Sequence, residues 1–474
     1  MALIQSTAIP SGATGYQIDN SLRFNDDDNT QLERTFTSAG DRKKWTWSAW
    51  IKRGNIATNM TLFSAKANTG MIWLAGVDGV MRVEHYNGAG GYDFRRDFDG
   101  YHRDSSAWYH FIIVYDSAQG SEVDRIKFYR NGEAVGVDNT ANAMTQNFQS
   151  AFNSNETHWL GAINHGFDYD GYMAEVNFVD GQTLTPSDFG ETGDYGEWKP
   201  IEYEGTYGTN GFYLNFETAA DMGDDKSGNG NDFAEDNIAA TDQMVDSPTN
   251  NFATWNPLFR YTTAVNDTYS EGNLKVEDNA GHTVAVGTIP MTSGKWYWEV
   301  YCIRTSFSGS DEYGMFDPSL NIPSSTGSTP ADVGTGGYFY SGNGWTKANG
   351  SYVANPGSQA SVGEDDIIAF AYDVSAGTLK IYVNNSLQKT LTVAAQASYV
   401  PSVSNSHGSY SVDYVGNFGQ DSSFAGNKTA QGNQDGNDIG DFYYTPPTGF
   451  LALCTKNLPD VAVVPSEHFN TVLY

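Results

Sequence analysis

The chain is short of cysteine, of positive charge, of helical periodicity and of long apolar runs. Its two cysteines, Cys302 and Cys454, define no disulfide framework and no metal site, and they leave the redox compartment open. Lys and Arg number 26 against 57 Asp and Glu, a formal charge of −31. A field of that sign repels phosphate backbones and anionic lipid, so no nucleic-acid partner is expected. Charged residues are only 18% of the chain, so the acidity comes from scarce basic residues, not from a disordered acidic tail. No window approaches the roughly 18 apolar residues of a membrane span, so no membrane insertion is expected. The opening "MALIQSTAIPSGATGYQ" lacks a basic n-region and a long apolar core, so it does not read as a signal peptide. An extracellular role then needs another exit, such as release by lysis. No long segment keeps a 3.6-residue apolar period behind a cap, which removes extended helices. No Ser-His-Asp, Cys-His or zinc-ligand spacing stands out among the eight histidines.

What is abundant is aromatic residues, at 14%, together with 51 glycines and many Asn, Asp, Ser and Thr. That mixture suits short strands joined by many turns. "KKWTWSAWIKR" puts Trp45, Trp47, Ala49 and Ile51 on one strand face, and "GKWYWEVYC" does the same with Trp296, Trp298 and Val300. "WYHFIIVYD" (108–116) is a buried apolar run. "IKFYRNGEAV" (126–135) alternates and then turns at Asn131-Gly132, a strong hairpin signal. "DIIAFAYDV" (366–374), "GTLKIYVNN" (377–385) and "SYSVDYVGNFG" (409–419) repeat the theme. The expected fold class is all-β: two antiparallel, jelly-roll-like β-sandwiches with an irregular connector and an extended C-terminal arm. The expected divisions are a first sandwich over 1–204, an Asp/Asn/Gly-rich connector over 205–260, a second sandwich over 261–426 and the arm over 427–474.

The ordered series "SLRFN", "WTWSAWIKRG", "WYHFIIVYDS", "IKFYRNGEAV", "HWLGAI" and "FDYDGYMAEVNFVDGQTLTPSDFGE" resembles the laminin-G-like, concanavalin A-like family over about residues 15–200. "GKWYWEVYC", "GEDDIIAFAYDVSAGTLKIYVNN", "VPSVS" and "NFGQ" resemble the SPRY domain over about 261–425. "DKSGNGNDF", "DSPTNNFATWNP", "PPTGFLALCTKNLP" and "PSEHFNTVLY" are similar to segments around SPRY modules in tail-fibre-like proteins of marine bacteriophages. The resemblance implies a virion protein made in the host cytoplasm, a tail fibre or other appendage. Its implied partners are other virion proteins and a host-surface glycan or protein. A homo-oligomer is expected, with a trimer favoured. A capsid decoration protein and a glycoside hydrolase or depolymerase remain alternatives.

Glycosidases need two carboxylates about 5–5.5 Å or 6.5–9.5 Å apart. The nearest pattern is Glu122 and Asp124 in "SEVDRIKF", where Lys127 and Phe128 stand in place of a third carboxylate, so no catalytic residue is assigned. "DYDG" places Asp168 and Asp170 on a loop where laminin-G relatives hold calcium, against the plain reading of an acidic turn. "DKSGNGNDFAED" has EF-hand-like spacing from Asp225 to Asp236 without flanking helices, and reads as a turn-rich connector. In the second domain Tyr338, Tyr340 and Trp345 sit in a Gly/Ser-rich stretch and are the expected ligand contacts, against packing at the sandwich edge. "HYNGAGGYDFRRDFDGYH" (85–102) is the comparable surface in the first, with Arg95 and Arg96 pairing to neighbouring Asp. The arm is expected to bury Phe450, Leu451, Leu453 and Phe469 on a neighbouring subunit or virion protein.

Overall fold

The computed structural model describes residues 15–459, apart from 57–58, 68, 194–195, 260–266, 279–282, 305–310, 320–335, 355–358, 396–397 and 406–411. The described residues are all-β with short 3-10 turns. They form two compact units that divide between Asn250 and Asn251.

The first unit is built from two eight-stranded sheets. Lys44–Arg53 lies in the middle of one, between Trp108–Asp116 and Gly171–Asp180. Its alternation sends Trp45, Trp47, Ala49 and Ile51 into the space between the sheets, where all four are buried. Trp45 stacks on Tyr115 with ring centroids 4.9 Å apart, and Trp47 lies parallel to Phe63. The hairpin at Asn131-Gly132 forms as its sequence requires, with φ of 49° and 81° at the two turn residues.

The opposite face of the same strand carries Thr46, Ser48, Trp50 and Lys52, and all of them are buried as well. Two later segments and the N-terminal Ile18 cover that face. Phe189 and Tyr207 pack on Ile112, Val114 and Val179. Ile18 and Met244 pack on Trp50, Trp108 and Tyr172. Here the expected connector is corrected. Phe212–Leu214 pairs with Gly171–Asp180, Ala234–Asp236 with Gln31–Thr35, and Gln243–Met244 with Ser21–Phe24. Phe212, Leu214, Phe216, Met222 and Phe233 belong to the main core. The first unit therefore runs to Asn250 rather than to 204. Strands of two or three residues are too short to show alternation, which is why the stretch reads as loop. Asp246, fully buried, fixes its end: Oδ2 lies 2.6 Å from Lys52 Nζ and Oδ1 accepts the Trp108 Nε1–H at 3.0 Å.

The second unit repeats the device with other residues. Lys295–Arg304 lies between Ile367–Asp373 and Val412–Asn417 in an eight-stranded sheet, and a six-stranded sheet faces it. Trp296, Trp298, Val300 and Cys302 point into the core. On the other face Glu299 is buried, and its two oxygens accept from Tyr297 Oη, Asn417 Nδ2 and the backbone N–H groups of Tyr443 and Tyr444 at 2.8–3.1 Å. Those contacts hold the segment after 427 on its own sandwich. Leu451–Ala452 adds a parallel strand to Lys295–Arg304, Leu453 enters the core and Phe450 is buried. The expectation that Phe450, Leu451 and Leu453 pack on a neighbouring chain is thus corrected: the apolar face they fit is in the same unit. Phe469 lies outside the described residues.

Burial also fixes proton positions. His110 Nδ1 accepts from Trp198 Nε1 at 2.9 Å, so the neutral ring carries its proton on Nε2, 2.8 Å from Ser48 Oγ. Burial lowers its pKa from 6.5 to about 3. The stability tied to the neutral ring is therefore present above pH 6.5 and is lost as pH falls towards 3. The ring nitrogen shifts of His110 should stay those of the neutral tautomer from pH 8 down to about 4. A second expectation concerns the boundary. A fragment of residues 15–250 should melt cooperatively with a β-type circular dichroism spectrum, and one of residues 15–204, stripped of three strands and Asp246, should not.

Candidate functional site

One end of the first sandwich gathers the loops 25–30, 54–56, 76–79, 99–107 and 161–170, because Phe24 and Arg53 both end their strands opposite Gly171. Gly171 has φ of 138°, and a Cβ there would lie 2.3 Å from the Lys52 carbonyl oxygen, so the crossing admits only glycine.

Arg53 organises this end. It is buried, and its guanidinium donates to the carbonyls of Asn55, Gly76, Val77 and His102 at 3.1–3.2 Å. One side chain thus ties three loops together. Burial brings its pKa down to about 10, which leaves it charged at neutral pH. His102 Nδ1 donates to the Gly79 carbonyl at 2.6 Å and closes the turn beside it. Asp170, fully buried, accepts the Asn55 N–H on Oδ1 at 2.8 Å and the Gly54 N–H on its carbonyl at 3.0 Å.

On this frame stand three exposed apolar side chains: Val77 at 56%, Tyr101 at 60% and Phe167 at 53%. Tyr101 is backed by the Arg103 guanidinium, 4.7 Å from its ring centroid, and Arg103 Nε donates to Asp78 at 2.7 Å. Phe167 stands edge-on to Trp73 at 5.6 Å, with Arg82 5.1 Å from the Trp73 ring. Asn164, His165 and Phe167 all have φ between 48° and 61°, a left-handed run that L residues adopt only when their surroundings hold them there. Beside Phe167, the outer face of the second sheet carries Thr61, Trp73, Arg82 and Asp97 in one cross-strand row and Trp159, Ser64, Met71, Glu84 and Arg95 in the next. Thr61 Oγ1, Trp73 Nε1 and Glu84 Oε2 are buried and have no hydrogen-bond partner. Burial, together with the nearby Asp97 charge, raises the Glu84 carboxyl to about 7.

The residues singled out from sequence fall differently. Tyr338 and Tyr340 lie on Gly337–Ser341, a strand buried along its whole length. Tyr338 Oη accepts the Ala394 N–H at 2.6 Å, and Tyr340 Oη donates to the Ala360 carbonyl. Trp345 is 5% exposed, with Tyr352 edge-on at 5.2 Å and the Lys347 ammonium 4.8 Å from its ring. These three pack the sandwich and present no ring to a ligand; their Gly/Ser neighbours gave a false signal of exposure. Asp168 and Asp170 do not converge on a cation either. Asp170 is spent on backbone N–H groups, while Asp168 is half-buried beside Asp26, whose carboxyl is raised to about 6 by burial and by the Asp27 and Asp168 charges. Among the described residues no group of three or more His, Cys, Asp or Glu side chains is placed to hold a metal ion. In the EF-hand-like stretch, Asp225 accepts from Tyr213 N, Ser227 N, Ser227 Oγ and Asn231 N, so its oxygens close the loop on itself. Arg95 pairs with Asp97 as expected, whereas Arg96 pairs with Glu122. Glu122 and Asp124 sit on one 3-10 turn and face Arg96 and Lys127, not a common cleft. Tyr101 lies inside the 85–102 stretch expected as a surface of the first domain, whereas Arg53 and Phe167 had no signal in the sequence beyond ordinary strand-end and loop composition.

The fold class, an all-β antiparallel sandwich, agrees with comparison to known families. Residues 24–188 match a laminin-G-like family model described as the concanavalin A-like lectin/glucanases superfamily. No curated protein matches the chain. Among solved structures the chain is similar to the SPRY domain of human HERC1, at 15% identity and a TM-score of 0.26, covering 30% of this chain and 87% of that one. It is also similar to the TRIM65 PSpry domain, at 14% identity and a TM-score of 0.27, covering 35% of this chain and 88% of that one. Stonustoxin is similar at 18% identity and a TM-score of 0.28, covering 35% of this chain and 27% of that one.

Since Trp345 fills a core site, Trp345→Ala should cost about 3–5 kcal/mol of stability, read as a lower urea midpoint of the second unit. A surface binding role for Trp345 would instead leave that midpoint unchanged.

Proposed function

We propose that this chain is a non-enzymatic binding protein of a bacteriophage particle, a tail fibre or other appendage. In this reading the loop end of its first sandwich recognises a host-surface glycan or protein. The observation that carries the reading is the pair of exposed rings, Tyr101 and Phe167, standing on loops that buried Arg53, His102 and Asp170 hold rigid. Rings fixed before contact lose little conformational entropy on binding and supply the stacking surface that sugars and protein hot spots use. The concanavalin A-like match over 24–188 supports a binding module, and the segments similar to phage tail-fibre-like proteins supply the particle context. Assembly as a trimer and contact with other virion proteins belong to the same proposal.

Glu84 favours a second reading. A carboxyl raised to about 7, diagonal to an Asp97 held ionised by Arg82 and Arg95, divides proton donor from anion as glycoside hydrolysis needs. Against it, both Asp97 oxygens are engaged by guanidinium groups and neither faces an open position.

Tyr101→Ala and Phe167→Ala should each weaken adsorption to host cells by roughly 5- to 150-fold, the equivalent of about 1–3 kcal/mol, with the melting temperature nearly unchanged because both rings are exposed. Full adsorption by the double variant would overturn the proposed surface. Release of reducing sugar from host polysaccharide, lost in Glu84→Gln, would establish the second reading in its place.

A further inference from the structure

Lys52 and Asp246 form a fully enclosed pair of opposite charges in the first unit, with both side chains wholly inaccessible to solvent and Nζ 2.6 Å from Oδ2. Their walls are Ile18, Trp50, Trp108, Tyr172, Ala174 and Met244, and the Tyr172 ring centroid lies 5.6 Å from Nζ. An ion pair is costly in such a place, because two desolvation penalties offset the attraction. Burial favours the uncharged amine and lowers the Lys52 pKa, against the opposing charges of Asp246 and Asp104. The electrophile is prepared as well. Trp108 Nε1–H donates to Oδ1 at 3.0 Å, and Ser21 Oγ donates to the Asp246 carbonyl at 2.6 Å, so the residue is held at both ends.

We propose that Lys52 and Asp246 are joined by an intramolecular isopeptide bond, formed spontaneously once the first unit has folded. The ammonium first passes a proton to Oδ2, giving a neutral amine and a neutral acid. The nitrogen lone pair then attacks Cγ and forms the C–N bond, while the carbonyl electrons move to Oδ1, where the Trp108 N–H holds the developing charge. A second proton passes from nitrogen to Oδ2, the Cγ–Oδ2 bond breaks and one water leaves. The product is a neutral secondary amide, and no oxidant, reductant or other reactant is consumed. The amide removes both buried charges and ties the Lys44–Arg53 strand covalently to the segment after Gln243–Met244.

Intact-mass spectrometry of the purified full chain under denaturing conditions tests this, after allowing for removal of the initiator methionine. The expected mass is below that of the sequence by one water. Peptide mapping should then recover a branched species joining the peptide that contains residue 52 to the one that contains residue 246. Lys52→Arg and Asp246→Ala should each restore the mass of their own sequence, a readout that holds whether or not those variants fold. A folded wild-type chain at the full sequence mass overturns the proposal. So does a one-water deficit that mapping places at any other residue.

Discussion

An ionisable side chain sealed on the outer face of a tryptophan strand is the constraint on which each unit depends. In the first it is Lys52, 2.6 Å from Asp246. In the second it is Glu299, accepting from two side chains and from the backbone of Tyr443 and Tyr444. The inner face of each strand is given to Trp and aliphatic packing, which drives collapse without direction. The buried group adds direction: a later segment meets it in each unit, and for an ion pair such as Lys52–Asp246 removing one partner costs about 3–5 kcal/mol. The two strands look alike because both face this double task, filling a core on one side and anchoring the following chain on the other.

The consequence for function is rigidity at the loop end of the first unit. With its later segments fixed over the outer face, the Lys44–Arg53 strand positions Arg53, and Arg53 then sets the loops at 54–56, 76–79 and 99–107 through four carbonyl contacts. Tyr101 and Phe167 are exposed, yet their backbones are not free. His102 N bonds to Asp78 and Thr61 N to the Phe167 carbonyl. Preorganised aromatic contacts of this sort give affinity without an ordering cost on binding.

Much of the fold was legible because period-2 alternation reports burial directly. Lys44–Arg53, Trp108–Asp116, Lys295–Arg304 and Ile367–Asp373 all lie where their patterns put them. The stretch 205–250 was not, since its strands are two or three residues long and its Asp and Asn serve turns within a packed unit. Tyr338, Tyr340 and Trp345 misled because glycine and serine around an aromatic suggest a loop, while here they flank buried strands. The candidate site itself was nearly invisible. Arg53 reads as the polar end of a strand, and only the fold shows that four carbonyls from distant loops converge on it. Tyr101 and Phe167 differ from the buried aromatics around them in exposure, which Tyr352 shares and which no local pattern encodes.

Hydrogen–deuterium exchange of the full chain, with and without isolated host envelope material, tests the proposed recognition surface directly. Protection on binding should appear in the peptides spanning 76–79, 99–107 and 163–168 and leave the strands of the second unit unchanged. Protection confined to the second unit, or a protection map identical with and without the host material, would contradict the assignment of recognition to the loop end of the first sandwich.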